Sequence, residues 1–131
     1  MTIKEALDFV KSYKKNDYIK TGDSAQGIKW LNAIETEIYN NIILTHEYNE
    51  GETEIEFEGY DTTTPDSTEM IVPTPYDDLY TYYLMSQIDY LNREMQSYDN
   101  NIQQYSALRD EFENRYNYSH RQKLKTKIRY Y

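Results

Sequence analysis

Residues 75–117 read PYDDLYTYYLMSQIDYLNREMQSYDNNIQQYSALRDEFENRYN, and their periodicity decides the fold. Leu79 or Tyr80, Tyr83, Leu84, Ile88 and Leu91 recur at three- or four-residue intervals. After a break within 92–97, Tyr98, Ile102, Tyr105, Leu108, Phe112 and Tyr116 do the same. Two apolar stripes of this kind, separated by a short polar turn, predict two long antiparallel helices, an αα-hairpin. The start of the first helix carries its own signals. Thr74 is a good N-cap, Pro75 suits the first helical position, and Asp77 puts a carboxylate where free N–H groups await one.

Upstream, residues 2–14 predict a short helix. Thr2 and Glu5 stand three apart, as a capping box requires, and Ile3, Leu7 and Val10 share a face with Ala6 and Tyr13 beside them. Asn16, Asp17, Thr21 and Gly22 mark a loop. A second helix opens at Asp23 or Ser24 and carries Ile28, Leu31, Ile34 or Glu35, Ile38 and Ile42 at helical spacing. Gly27 in its first turns costs about 1 kcal/mol relative to alanine. The helix fades near Thr45 and His46.

Between the helical pairs the period changes to two. Glu52, Glu54, Glu56 and Glu58 alternate with Thr53, Ile55 and Phe57, which is a strand signal. Met70, Ile71 and Val72 are the natural returning strand, ended by Pro73. The expectation is an acidic β-ribbon inserted at about 47–73, marginal alone and needing support from the helices or a neighbouring chain. The predicted fold is therefore mainly α: four helices, a C-terminal αα-hairpin and this ribbon. Residues 1–118 form one helical domain, and residues 119–131 a basic C-terminal arm.

Composition narrows the function. The chain has 131 residues, enough for one core, and no cysteine, so neither a disulfide nor a thiolate metal site is available. No stretch approaches a membrane span or a signal-peptide core, so a soluble chain made in a cytosol is expected. Sixteen tyrosines against three phenylalanines make the apolar content unusually amphipathic, which suits a protomer that completes its burial against neighbours. An AT-rich coding sequence would produce the same bias. The net charge is −9, yet no acidic residue follows Glu113, while Arg121, Lys123, Lys125, Lys127 and Arg129 crowd the end. Without those five cations the remainder stands at −14. An acidic body of this kind repels phosphates and argues against wrapping nucleic acid.

No residue set carries catalytic chemistry convincingly. A nucleophile would have to be Ser or Thr, and His46 and His120 are the only imidazoles. His46–Glu47 shares the opening of a zinc motif, but position 50 is Glu, and a solvated helix end is the simpler reading. Asp77 and Asp78 suit helix capping better than a paired-acid or magnesium site. The glutamates of 50–58 lack the loop geometry that cages calcium, and four scattered glycines make no phosphate loop. The expectation is no enzyme, no cofactor, no metal and no small-molecule substrate.

In the C-terminal arm, Lys123, Lys125, Lys127 and Arg129 alternate with Leu124, Thr126, Ile128 and Tyr130. The pattern fits a strand that adds to another subunit's edge, its cations facing acidic side chains such as those of 52–58. A disordered end or a nucleic-acid arm with stacking tyrosines are the other readings. The expected assembly contacts are thus Ile55, Phe57 and the four glutamates on one side, and residues 123–125 and 127–130 on the other.

The 75–117 stretch resembles the C-terminal helical hairpin of phage head–tail connector proteins in its proline-led, Tyr-rich first helix, its tight turn, and the spacing of Tyr98, Tyr105, Phe112 and Tyr116. The short first helix, the loop with Gly22 and Asp23, and the run from Ile28 to Ile43 are similar to that family's first helical pair. Together these cover roughly two thirds of the chain. The long acidic insertion and the alternating basic arm depart from the family pattern. The resemblance implies a connector-type bundle that self-associates into a ring between portal and tail-completion proteins of a phage or prophage. It would be assembled in the bacterial host cytoplasm and kept in the virion. DNA would pass nearby without being specifically bound, and the glutamate face would line or flank the channel, repelling phosphates. The rival reading is an acidic phage-encoded inhibitor that mimics nucleic acid and binds a host protein; the five tail cations spoil that mimicry.

Overall fold

A computed structural model describes residues 1–14, 16, 18, 19 and 24–123. It is mainly helical: α1 spans Ile3–Tyr13, α2 Ala25–Ile38, α3 Leu79–Leu91 and α4 Met95–Ser119. A π-helical turn, Tyr39–Ile43, extends α2. No helix among the described residues is long and apolar enough to cross a membrane.

The capping box of α1 forms as expected. The Glu5 amide donates to Thr2 Oγ1 at 3.1 Å, and the Thr2 amide to Glu5 Oε1 at 3.0 Å. Such a cap is worth about 1 kcal/mol. Ile3, Ala6, Leu7 and Val10 are buried, while Tyr13 is exposed. α2 begins after Ser24, whose side chain makes no cap bond, and Asp23 lies outside the described residues. Gly27 proves to be a packing residue. A Cβ there would come within 2.5 Å of Leu7 Cδ2 and 3.2 Å of Ile19, so its bare backbone lets α1 and the following loop close onto α2. In the π-turn the Leu44 amide reaches the Tyr39 carbonyl at 2.9 Å, and the wider turn puts the neighbours Ile42 and Ile43 both into the core.

The hairpin of α3 and α4 forms across a three-residue turn, 92–94, in which Arg93 takes φ +60°. α3 is the central helix: Leu79, Tyr80, Leu84, Met85 and Ile88 are buried, and only Leu91 of the expected stripe is exposed. α4 is roughly 37 Å long. Its C-terminal half buries Phe112 and Tyr116, whereas Tyr98, Ile102, Tyr105 and Leu108 are only half covered. Rings meet along this seam, Tyr83 with Tyr105 at 5.2 Å and Tyr90 with Tyr98 at 5.6 Å. Burial pushes the Tyr105 hydroxyl up to about 12. Arg109 ties α4 to α2 by a two-pronged contact to Glu37, both at 2.6 Å, and reaches Glu113 at 2.7 Å. That guanidinium holds the Glu37 carboxyl below its ordinary range.

Two sequence expectations fail here. The start of α3 falls at Leu79, four residues after Pro75, with Asp78 as its N-cap. Residues 73–80 instead make successive tight turns, Tyr76 amide to Pro73 carbonyl, Leu79 to Tyr76 and Tyr80 to Asp77. The Thr74–Pro75 peptide is cis. Thr74 Oγ1 donates to Asp77 Oδ2, and that carboxylate lies 3.3 Å from the Met1 ammonium, so neither residue caps a helix.

The acidic ribbon of 47–73 does not form either. Among the described residues no ladder joins 52–58 to 70–72. The reason lies in the donors of the returning strand, all of which are taken elsewhere. The Met70 amide donates to the Met1 carbonyl, the Ile71 amide to Glu35 Oε2, and the Val72 amide to the Tyr80 hydroxyl. Residues 68–70 pair instead with the start of α1, where Glu69 bridges Thr2.

Two carboxylates lie wholly inside the fold. Glu35 accepts from Tyr80 Oη at 2.6 Å, Tyr60 Oη at 2.8 Å and the Ile71 amide at 2.9 Å, joining α2, α3 and the loop. Burial pushes its pKa upward against the pull of these three donors. Asp89 pairs with Lys14 and accepts from Ser97 Oγ and Asn101 Nδ2, both at 2.7 Å, joining the end of α1 to the hairpin turn.

Candidate functional site

The expected contact residues of 52–58 occupy one extended segment on the surface. A turn at 49–52 leads into it: the Glu52 amide donates to the Asn49 carbonyl at 3.0 Å, and Gly51 takes φ +79°. That conformation suits glycine. Beyond the turn the alternation survives. Ile55 and Phe57 point inward and are half-buried, while Glu54, Glu56 and Glu58 are exposed. The Ile55 amide donates to Tyr48 Oη at 3.0 Å, and Phe57 sits 5.7 Å from Tyr39 and 5.0 Å from Tyr60. The Tyr60 amide is fastened to Asn32 Oδ1 at 2.8 Å. Between these two anchors the backbone of 56–59 has no hydrogen-bond partner among the described residues.

The start of the basic arm lies against the other end of this loop. Residues 121–123 run antiparallel to 45–47, with the Glu47 amide donating to the Arg121 carbonyl at 2.6 Å and the Lys123 amide to the Thr45 carbonyl at 2.9 Å. Lys123 is exposed; Leu124, Lys125, Lys127, Ile128, Arg129 and Tyr130 lie outside the described residues. The structure thus brings Glu52 and the beginning of the arm together through His120, which sequence reasoning set aside. His120 stacks on Tyr116 with ring centres 3.9 Å apart. Its Nε2 donates to Glu52 at 2.9 Å, and its Nδ1 is left to accept from Ser119 Oγ at 2.8 Å. The His120 bond is the main cause of a lowered Glu52 pKa.

His46 is buried, which corrects its reading as a solvated helix end. Its Nδ1 donates to the Ile42 carbonyl at 2.6 Å, since a carbonyl can only accept, and its Nε2 lies 2.6 Å from Asn117 Oδ1. Tyr116 packs edge-on against it at 5.1 Å, so this ring stands between the two histidines. Burial pushes the Tyr116 hydroxyl up to about 12.

Ser119, His120 and Glu52 form a hydrogen-bonded chain beside a hollow of about 250 Å³ lined largely by Ile43, Ile55, Ile71, Phe112 and Tyr116. Such a chain could in principle relay a proton. Its setting opposes that use. Ser119 ends α4, where the helix presents carbonyl oxygens and partial negative charge, so an oxyanion formed there is repelled. The arrangement fastens the 49–52 turn to the end of α4. Among the described residues no group of acidic or histidine side chains is placed to hold a metal ion.

Glu35, Asp89 and His120 were not legible as key residues. For Glu35 one signal existed, its place inside the apolar stripe of α2; Asp89, set between Ile88 and Tyr90, offered none. Compared with known proteins, the chain matches no family model, no curated protein and no solved structure.

Proposed function

We propose that this chain is a structural component of a phage or prophage particle, a head–tail connector that forms a ring between portal and tail-completion proteins. The observation that carries the reading is the incompletely covered face of α4, where Tyr98, Ile102, Tyr105 and Leu108 are half-buried in the lone chain. Amphipathic rings left in this state are suited to an interface with a neighbouring subunit. Exposed Tyr90, Leu91 and Met95 at the hairpin turn add apolar surface at one end. The family resemblance of 75–117 supports the same reading, as does an acidic body past which DNA slides without being gripped.

Negative-stain microscopy of the purified chain mixed with portal protein tests this. A ring of added density at one end of the portal is the expected result. A chain that stays separate from portal at micromolar concentration overturns it.

The exposed row of Glu54, Glu56 and Glu58 favours one alternative, an acidic inhibitor that mimics nucleic acid. That reading expects recovery of a host nuclease or repressor from lysate and no affinity for portal.

A further inference from the structure

We propose that residues 53–58 are an acceptor edge for residues 124–130 of a second copy of this chain, which add to it as a β-strand. The inference rests on the ring reading above and names the contact that would link one copy to the next.

Three independent features converge on this edge. The segment is already extended and fastened at Ile55 by Tyr48 and, just beyond it, at Tyr60 by Asn32, so pairing requires little further ordering. Its backbone from 56 to 59 is unpaired among the described residues, and an unpaired edge is a template for another strand. A groove of about 570 Å³ opens beside it, walled on the far side by residues 68–71, of which the Met70 amide is committed to Met1 and the Ile71 amide to Glu35. The place where a returning strand was expected is therefore a gap beside a free edge.

The arm matches the edge on both faces. Paired strands place side chains of like parity on the same face. In one antiparallel register Lys125, Lys127 and Arg129 stand beside Glu58, Glu56 and Glu54, while Ile128 lies across from Ile55, Thr126 from Phe57, and Leu124 diagonally from Phe57. A slip of one residue would put cations over the aromatic floor and apolar groups among carboxylates. Seven residues of strand span roughly 23 Å, and the six of the edge roughly 20 Å, so the arm is long enough. A chain that carries one donor strand and one acceptor edge makes a head-to-tail interface, which forms a ring when the rotation between copies closes.

The absence of native cysteine allows a direct test. Glu56→Cys and Lys127→Cys variants are made separately, mixed, and oxidised at low salt. A disulfide-linked dimer containing one of each chain is expected. It should be lost when Glu54 and Glu58 are also changed to Lys, and regained when Lys125→Glu and Arg129→Glu are placed in the other chain. Raising salt should reduce the yield, because exposed opposite charges drive the encounter. No cross-link in the mixture, or an internal one when both cysteines sit in one chain and the product stays monomeric, overturns the proposal. The portal experiment is read separately: rings on portal without the cross-link refute the strand exchange alone, and the cross-link without portal binding refutes the connector reading alone.

Discussion

Glu35 and Glu56 are the same side chain in opposite surroundings. Glu35 is wholly buried, and both its oxygens receive donors from α3 and the long loop. Glu56 stands exposed on an extended backbone that has no partner of its own among the described residues. The first carboxylate holds the fold together by giving otherwise orphaned donors an acceptor; the second leaves the fold unaffected and is free for a contact outside it. Carboxylate content alone says nothing about which of these a residue does. The surroundings decide, through whether a donor lost with the carboxylate can find water instead.

The largest effect expected from this contrast is on Glu35→Ala. It strands the Tyr80 hydroxyl, the Tyr60 hydroxyl and the Ile71 amide, and should cost about 3 kcal/mol in urea unfolding. A loss under 1 kcal/mol would mean that the loop is held in place by other contacts. Asp89→Ala comes next, at about 2 kcal/mol, because Lys14 keeps partial exposure and Glu94 as a second partner at 3.0 Å. At the other extreme, changing Glu54, Glu56 and Glu58 together to Gln should move the melting curve of the isolated chain by less than about 0.5 kcal/mol. A larger loss would show that these residues belong to the fold and not to a contact surface.

Acidity separates the two kinds of glutamate by sign. Burial raises the Glu35 pKa above its ordinary 4.5, so its favourable contribution is complete below that value and is lost as pH rises through the folded pKa. The stability difference between wild type and Glu35→Gln should therefore shrink with rising pH above 4.5. Glu52 behaves in reverse. Its pKa lies below 4.5, so its contribution is present above that value and is lost as pH falls through the folded pKa. The Glu52→Gln variant should erase a small acid-side decline, the weakest effect of the set, because this carboxylate is close to solvent. Equal slopes in the two variants would remove the contrast.

Local signals fared best where a short stretch sufficed. The Thr2–Glu5 box closed as spaced, and the stripe of α3 and α4 produced the hairpin with its turn at 92–94. Thr74–Pro75–Asp77 carried an equally good local signal, and it failed because the Met1 ammonium, far away in the chain, claims Asp77. Alternation at 52–58 told that Ile55 and Phe57 face inward, although Thr53 of the same face is exposed, and it could not tell that the expected partner strand would give its amides to Met1, Glu35 and Tyr80. His46 looked like an exposed helix end until Asn117 and Tyr116 covered it.

The amino-acid order by itself determined the helical class, the faces that go inside, the α1 cap and the in-and-out alternation of the acidic segment. Each of these depends on repeat distances of the backbone, 3.6 residues or 2, which neighbouring positions express without help. The tertiary structure alone decided the seating of Glu35 and Asp89, the use of Gly27 as a contact point, the His120–Glu52 fastening and the open edge beside 56–59. These are matters of which donor meets which acceptor across the fold, and a period along the chain specifies a face without naming the group that will lie against it.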